Sequence, residues 1–150
     1  MKLAESMAAI DAQLALLTEH WSRFTEAEIL TMPGPGRWCK KEVLGHLIDS
    51  AINNYRRFVL AQTVPPPLKL LAYDQDAWVR VGNYRQVPAA ELLTLWACHN
   101  RHLRHLLSQF PVSTLATECF SFNNNPVTLS WLIDDYVLHL EHHVRQIIHE

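Results

Sequence analysis

Three histidines in two distant segments carry the chemistry this chain could perform. His46 stands in Trp38-Cys-Lys-Lys-Glu-Val-Leu-Gly-His46-Leu-Ile-Asp49, and His139 and His143 stand in Tyr136-Val-Leu-His139-Leu-Glu-His-His143-Val-Arg-Gln146. Histidines four apart on a helix project from one face. A third from a neighbouring helix would complete a three-nitrogen site with positions left open for an exchangeable ligand. Helix bundles build metal centres in this way, from side chains on facing helices. Histidine makes up 9 of 150 residues, an enrichment that suits metal binding but that a set of exposed histidines would equally produce. Position has to decide.

On a helical wheel the apolar arc of the last segment centres near Leu129, Tyr136, Leu140 and Ile147, with His139 and His143 at its inward edge and His142 on the polar side. Two imidazoles placed there without partners would each cost roughly 1–3 kcal/mol. A shared metal removes that cost, and so would bonds to neighbouring side chains or water. His46 heads a stripe of Ser50, Asn53, Asn54 and Arg57 at the margin of its helix's apolar face, which reads as a cavity lining or as a solvated face. Asp49, three residues on, is placed to fix an imidazole tautomer, to serve as a further ligand, or only to meet solvent. On the third helix His99 falls between Trp96 and Leu103 and is expected to be a core histidine in preference to a fourth ligand, and Trp21, Trp96 and Trp131 to be core aromatics.

The elements that must position these residues are legible as apolar stripes. Leu3, Met7, Ile10, Leu14, Leu17, Trp21 and Phe24 alternate by three and four, so a first helix ends near Thr25, where Thr25-Glu-Ala-Glu28 has the pattern to cap a short new turn before Pro33-Gly-Pro-Gly36. A second helix is expected over about 40–62, with Glu42 in the third position after a weakly capping Cys39, and Pro65-Pro-Pro67 ends it. Residues 64–88 form a long irregular connection with one helical turn near Asp74-Gln-Asp-Ala-Trp78. A third helix follows over 89–110, then a loop with Asn123-Asn-Asn-Pro126, then a fourth helix over 128–149. No strand alternation is visible. The reading is one domain, residues 1–150, all-α, a four-helix bundle with a long irregular connection between helices 2 and 3.

Composition narrows the function. The chain is 49% hydrophobic and 19% charged, and no apolar run reaches the roughly 20 residues a membrane helix needs, so no membrane association is expected. A net charge of -2 without a Lys/Arg stripe offers little to a phosphate backbone, so no nucleic acid is expected. The first residues lack the apolar core of a secretory signal. Cys39, Cys98 and Cys119 show no paired spacing and read as free thiols of a reducing compartment, so the expected location is cytoplasmic. The apolar face of the second helix is wider than one core contact requires, as expected of a homodimer interface or of a central place in the bundle.

Several stretches together resemble the DinB/YfiT-like superfamily of four-helix-bundle metalloproteins. They are Gly36-Arg-Trp38, Glu42-Val-Leu-Gly-His46-Leu-Ile-Asp49, Asn53-Asn-Tyr-Arg-Arg-Phe58, Tyr73-Asp-Gln-Asp-Ala-Trp78, Asn100-Arg101 and Asp135-Tyr-Val-Leu-His139-Leu-Glu-His-His143-Val-Arg-Gln146. Members are similar in having one ligand histidine on the second helix and a His-x-x-x-His pair on the last. The resemblance therefore implies His46, His139 and His143 as ligands of a divalent metal, zinc or nickel. Cys39 departs from the serine that often follows the tryptophan, which bears on the cap and not on the ligands. The resemblance further implies a metal-dependent enzyme that activates water or a low-molecular-weight thiol toward a small-molecule substrate, of hydrolase or thiol S-transferase type. In the thiol branch, Asn53 and Arg57 are placed to orient an anionic or amide-bearing thiol. Two other readings stay open: a non-catalytic metal- or small-ligand-binding bundle in a stress response, and a dimerising bundle whose histidines satisfy one another.

Overall fold

Four long apolar stripes and the breakers between them dictate the architecture. The computed structural model describes residues 2–150 and contains helices α1 (Leu3–Trp21), α2 (Glu26–Leu30), α3 (Lys40–Thr63), α4 (Gln75–Gly82), α5 (Ala89–Ser108) and α6 (Leu129–His149). Helix starts follow their capping residues. Thr25 Oγ1 accepts from the Glu28 amide at 3.2 Å while the Glu28 carboxylate accepts from the Thr25 amide at 2.6 Å, and Thr128 Oγ1 accepts from the Trp131 amide at 3.2 Å. At Cys39 the amide donates to the Glu42 carboxylate at 2.9 Å, so the acid secures a start that the thiol caps poorly. Asp74 caps α4, which is longer than the single turn the sequence suggests.

Helices α1, α3, α5 and α6 form the bundle. Both α1 and α3 pack on α5 and on α6, which puts α1 and α3 on opposite corners. The segment from Ser22 through α2 to Cys39 therefore carries the chain across the diagonal and sets α3 beside α6, the two helices that bear His46 and the His139/His143 pair. Helix α3 also packs against α2, α4 and the short 3-10 turn Tyr84–Gln86. Its broad buried face, from Val43 to Ala61, thus follows from a central position, and a second copy of the chain is not needed to cover it.

Three details depart from the sequence reading. A small sheet is present: β1 (Leu68–Lys69) pairs in parallel with β2 (Glu118–Phe120), which pairs antiparallel with β3 (Pro126–Thr128). It joins the two long connections, with Leu68 and Cys119 buried, and the β2–β3 turn uses Asn124 at a φ of 63°, a conformation asparagine tolerates. Strands of two or three residues are too short to show a period. On α5 the polar core residue is Asn100, fully buried, not His99, which is half-buried; Leu95 faces solvent, so the inward arc lies further round than the leucines suggest. Asn100 accepts from the Tyr136 hydroxyl at 2.6 Å and donates to Trp96 O at 3.0 Å. Trp131 is exposed, whereas Trp21 and Trp96 are core residues.

Candidate metal centre

Because α3 and α6 are neighbours, their histidines converge. His46 is fully buried and His139 and His143 are half-buried, and one ring nitrogen from each lies within 4.8 Å of the others. His46 Nε2 is 2.9 Å from His139 Nε2. The ring centroids are 4.5–4.9 Å apart with the ring planes at 69–76° to one another. Trp38 covers His46, with centroids 5.0 Å apart. His142 is exposed and lies against the flank of His143. His99 lies on α5, outside the cluster.

Burial keeps these imidazoles neutral. Loss of hydration, reinforced by the neighbouring His143, lowers His46 to about 4. Burial, followed by His143, His46 and His142, lowers His139 to about 3. His143 is also lowered by burial, with its bond to Gln146 opposing. At neutral pH all three offer lone pairs without first losing a proton. Gln146 sets one tautomer: its amide oxygen can only accept, so at 2.8 Å the His143 Nδ1–H donates to it and the Nε2 lone pair is left free. Ser50 Oγ stands 3.4 Å from His139 Nδ1. His46 Nδ1 is buried without a hydrogen-bond partner among the described residues.

The donor set fits a cation. Nitrogens bound tetrahedrally at 2.0–2.1 Å to one zinc stand about 3.4 Å apart, within the range spanned by this cluster, so small side-chain adjustments suffice. At 2.9 Å the two facing Nε2 atoms either form a hydrogen bond, one ring being the Nε2–H tautomer, or direct both lone pairs at a shared cation. Three neutral imidazoles suit zinc, nickel and other borderline divalent ions.

Asp49 does not complete this set. It is buried, its Oδ1 accepts from the Tyr84 hydroxyl, and its Oδ2 has no partner among the described residues, so it makes no bond to His46. Burial raises its pKa, with the Tyr84 bond opposing. Tyr84 reaches Asp49 because α3 has no side chain at Gly45. A Cβ there would lie 1.9 Å from Tyr84 Cδ2, and one at Gly82 would lie 2.8 Å from Tyr84 Cε2.

Two clefts flank the cluster. One, of about 350 Å³, is lined by Trp38 and Gln146 together with Phe24 and Lys40. The other, of about 140 Å³, is lined by Ser50, Asn54, Arg57 and His139, with Tyr73 and Phe122 opposite. Arg57 thus reaches a cavity beside the cluster, whereas Asn53 lies outside its lining and donates to the backbone of Asp49 at 2.9 Å. Asn54 holds the place expected of Asn53. Gln146 and Tyr84 escaped the sequence reading. Gln146 could have been found from its position one turn after His143, while Tyr84 lies in a connection whose contacts no local pattern reveals.

Fold and cluster together define a four-helix bundle with a three-histidine candidate metal centre. Residues 9–147 match the model of the DinB superfamily, and the chain belongs to that family. YfiT of Bacillus subtilis is 28% identical over 130 residues, spanning 82% of this chain and 69% of that protein. A relative from Bacillus pumilus is 25% identical over 150 residues, spanning 97% of this chain and 85% of its own length. Both are described as proposed metal-dependent hydrolases. The solved structure of YfiT, described as a probable metal-dependent hydrolase with an unusual four-helix bundle topology, superposes with a TM-score of 0.86 at 23% identity, over 97% of this chain and 83% of that one. A mycothiol-dependent maleylpyruvate isomerase superposes with a TM-score of 0.77 at 13% identity, over 98% of this chain and 61% of that one. At these identities the structures share the fold.

Proposed function

We propose that this protein is a metal-dependent enzyme in which His46, His139 and His143 hold a divalent cation, zinc or nickel, and water or a low-molecular-weight thiol serves as the nucleophile on a small-molecule substrate. The observation that carries this reading is the convergence of three neutral imidazoles, with ring nitrogens within 4.8 Å of one another, on two helices fixed by the bundle core. A divalent cation with open positions lowers the pKa of a bound water or thiol toward neutrality. The chain's own residues supply the rest. Gln146 and Ser50 orient His143 and His139, Trp38 shields His46, and the cavity with Arg57 and Asn54 takes the substrate or thiol. Asn53 contributes at most through the backbone it braces. Water gives a hydrolase, the designation of the Bacillus relatives; a thiol gives an S-transferase, the branch that the mycothiol-dependent neighbour favours.

One observation supports a second reading, a non-catalytic bundle that binds a metal or small ligand. Among the described residues no carboxylate is hydrogen-bonded to any of the three imidazoles, and Asp49 is engaged by Tyr84. Metal-loaded protein assayed with an activated ester, and with an electrophilic chloronitrobenzene in the presence of several low-molecular-weight thiols, separates the two. Turnover that His139→Ala abolishes is the expected result. Fully loaded protein that turns over neither leaves the second reading, and turnover that survives the substitution rules out metal activation.

A further inference from the structure

The cavity beside His139 contains a positive charge that no carboxylate among the described residues contacts directly. Arg57 is 8% exposed. It donates to Leu71 O at 2.9 Å and to Asn54 Oδ1 at 3.4 Å, and its guanidinium lies 4.8 Å from the Phe122 ring centre and 5.8 Å from that of Tyr73. A guanidinium has five N–H donors in a planar fork, and these contacts leave several unused. Among the described residues no carboxylate comes within 4.0 Å of it. Asp135 lines the same cavity from a solvent-exposed position and acts on Arg57 only from a longer range. Buried charges in folded proteins are ordinarily paired, because desolvation without a partner is costly. An anion entering this cavity would supply that partner.

We propose that this cavity binds a small carboxylate. Its anionic end pairs with the Arg57 fork, beside Asn54, and its apolar body lies against Tyr73, Phe122 and Tyr136, with the far end toward Ser50 and His139. A planar carboxylate is the group that a guanidinium fork grips through two parallel bonds. The volume, about 140 Å³, is close to that of an engineered cavity that holds benzene, so the ligand has roughly six non-hydrogen atoms. The proposal rests on the metal-enzyme reading only in calling this ligand the substrate; the pairing itself needs no metal.

Crotonate and crotonamide match in size and shape and differ in charge, so they serve as probes. Binding to the purified protein, followed by ligand-observed NMR titration in both metal-loaded and chelator-treated samples, should favour crotonate by about tenfold or more, consistent with a charge-assisted bidentate pair. The preference should vanish in Arg57→Met, which keeps the length of the side chain, and return in part in Arg57→Lys. Equal binding of the two probes by the unaltered protein overturns the proposal whatever the variants do. So does a crotonate preference that is lost on metal removal but unaffected by Arg57→Met, because the anion would then sit on the cation. A protein that takes up no metal yet keeps the Arg57-dependent preference supports the carboxylate site and removes the metal-enzyme reading alone.

Discussion

Replacing Gly45 by alanine tests the packing that holds Asp49 beside the histidine cluster. In an ordinary helix the change stabilises by about 0.8–1 kcal/mol, because glycine is the poorer helix former. Here the new methyl would lie 1.9 Å from Tyr84 Cδ2 and 2.2 Å from Cγ. These atoms are at the base of a rigid ring, so the ring must retreat by roughly 1.5 Å to restore ordinary contact, and overpacking of this kind costs about 1–3 kcal/mol. Retreat also withdraws the hydroxyl from Asp49, whose other oxygen is already unpartnered, and a hydrogen bond to a charged group contributes about 1.5–3 kcal/mol. The net expectation is a loss of about 2–4 kcal/mol, read as a lower urea midpoint at unchanged slope. The informative comparison is the same substitution in a Tyr84→Ala background. With the ring gone the clash disappears, and Gly45→Ala should become stabilising by up to about 1 kcal/mol. Gly45→Ala that is neutral alone, or whose cost is the same in both backgrounds, refutes the account of Tyr84 as the reason for the glycine.

Two further predictions concern the histidines. His46 and His139 have folded-state pKa values lowered to about 4 and 3, so below pH 6.5 the unfolded chain takes up protons that the folded chain refuses. Stability of the metal-free protein should therefore be full above pH 6.5 and fall as the pH drops toward 4, by roughly 3 kcal/mol from the lowered His46 alone; a urea midpoint that is flat from pH 7.5 to 4.5 contradicts the buried, neutral cluster. Gln146→Leu removes the acceptor that fixes the His143 tautomer, and should weaken zinc affinity by about 10–100-fold in a competition titration with little change in the far-ultraviolet circular dichroism. Unchanged affinity would mean that Gln146 does not orient the ligand.

How far the sequence discloses this molecule depends on whether the informative contacts are local. Helix positions follow from periodicity and breakers, and the inward placement of His139 and His143 follows from the phase of α6, whose arc of Leu129, Tyr136, Leu140 and Ile147 is buried throughout. On α5 the phase is harder to read, because Leu95 has a core residue's chemistry yet faces solvent. One exposed leucine is enough to exchange His99 for Asn100 as the buried polar residue, and the same one-residue difference separates Asn53 from Asn54 on α3. Nothing local states that α1 and α3 stand on opposite corners, yet this crossing brings His46 to α6. Gly45 in the middle of a long helix is a visible sign of a close approach, but its partner Tyr84 lies 39 positions away in an irregular connection.

Three imidazoles from α3 and α6 are expected to share one cation. Protein purified without a histidine tag, exposed to excess zinc, desalted and weighed by native mass spectrometry reports this directly. The expected result is one zinc per chain, retained by the unaltered protein and lost from His46→Ala, His139→Ala and His143→Ala alike, with each variant still folded. No retained metal, or retention that is indifferent to all three substitutions, would contradict it.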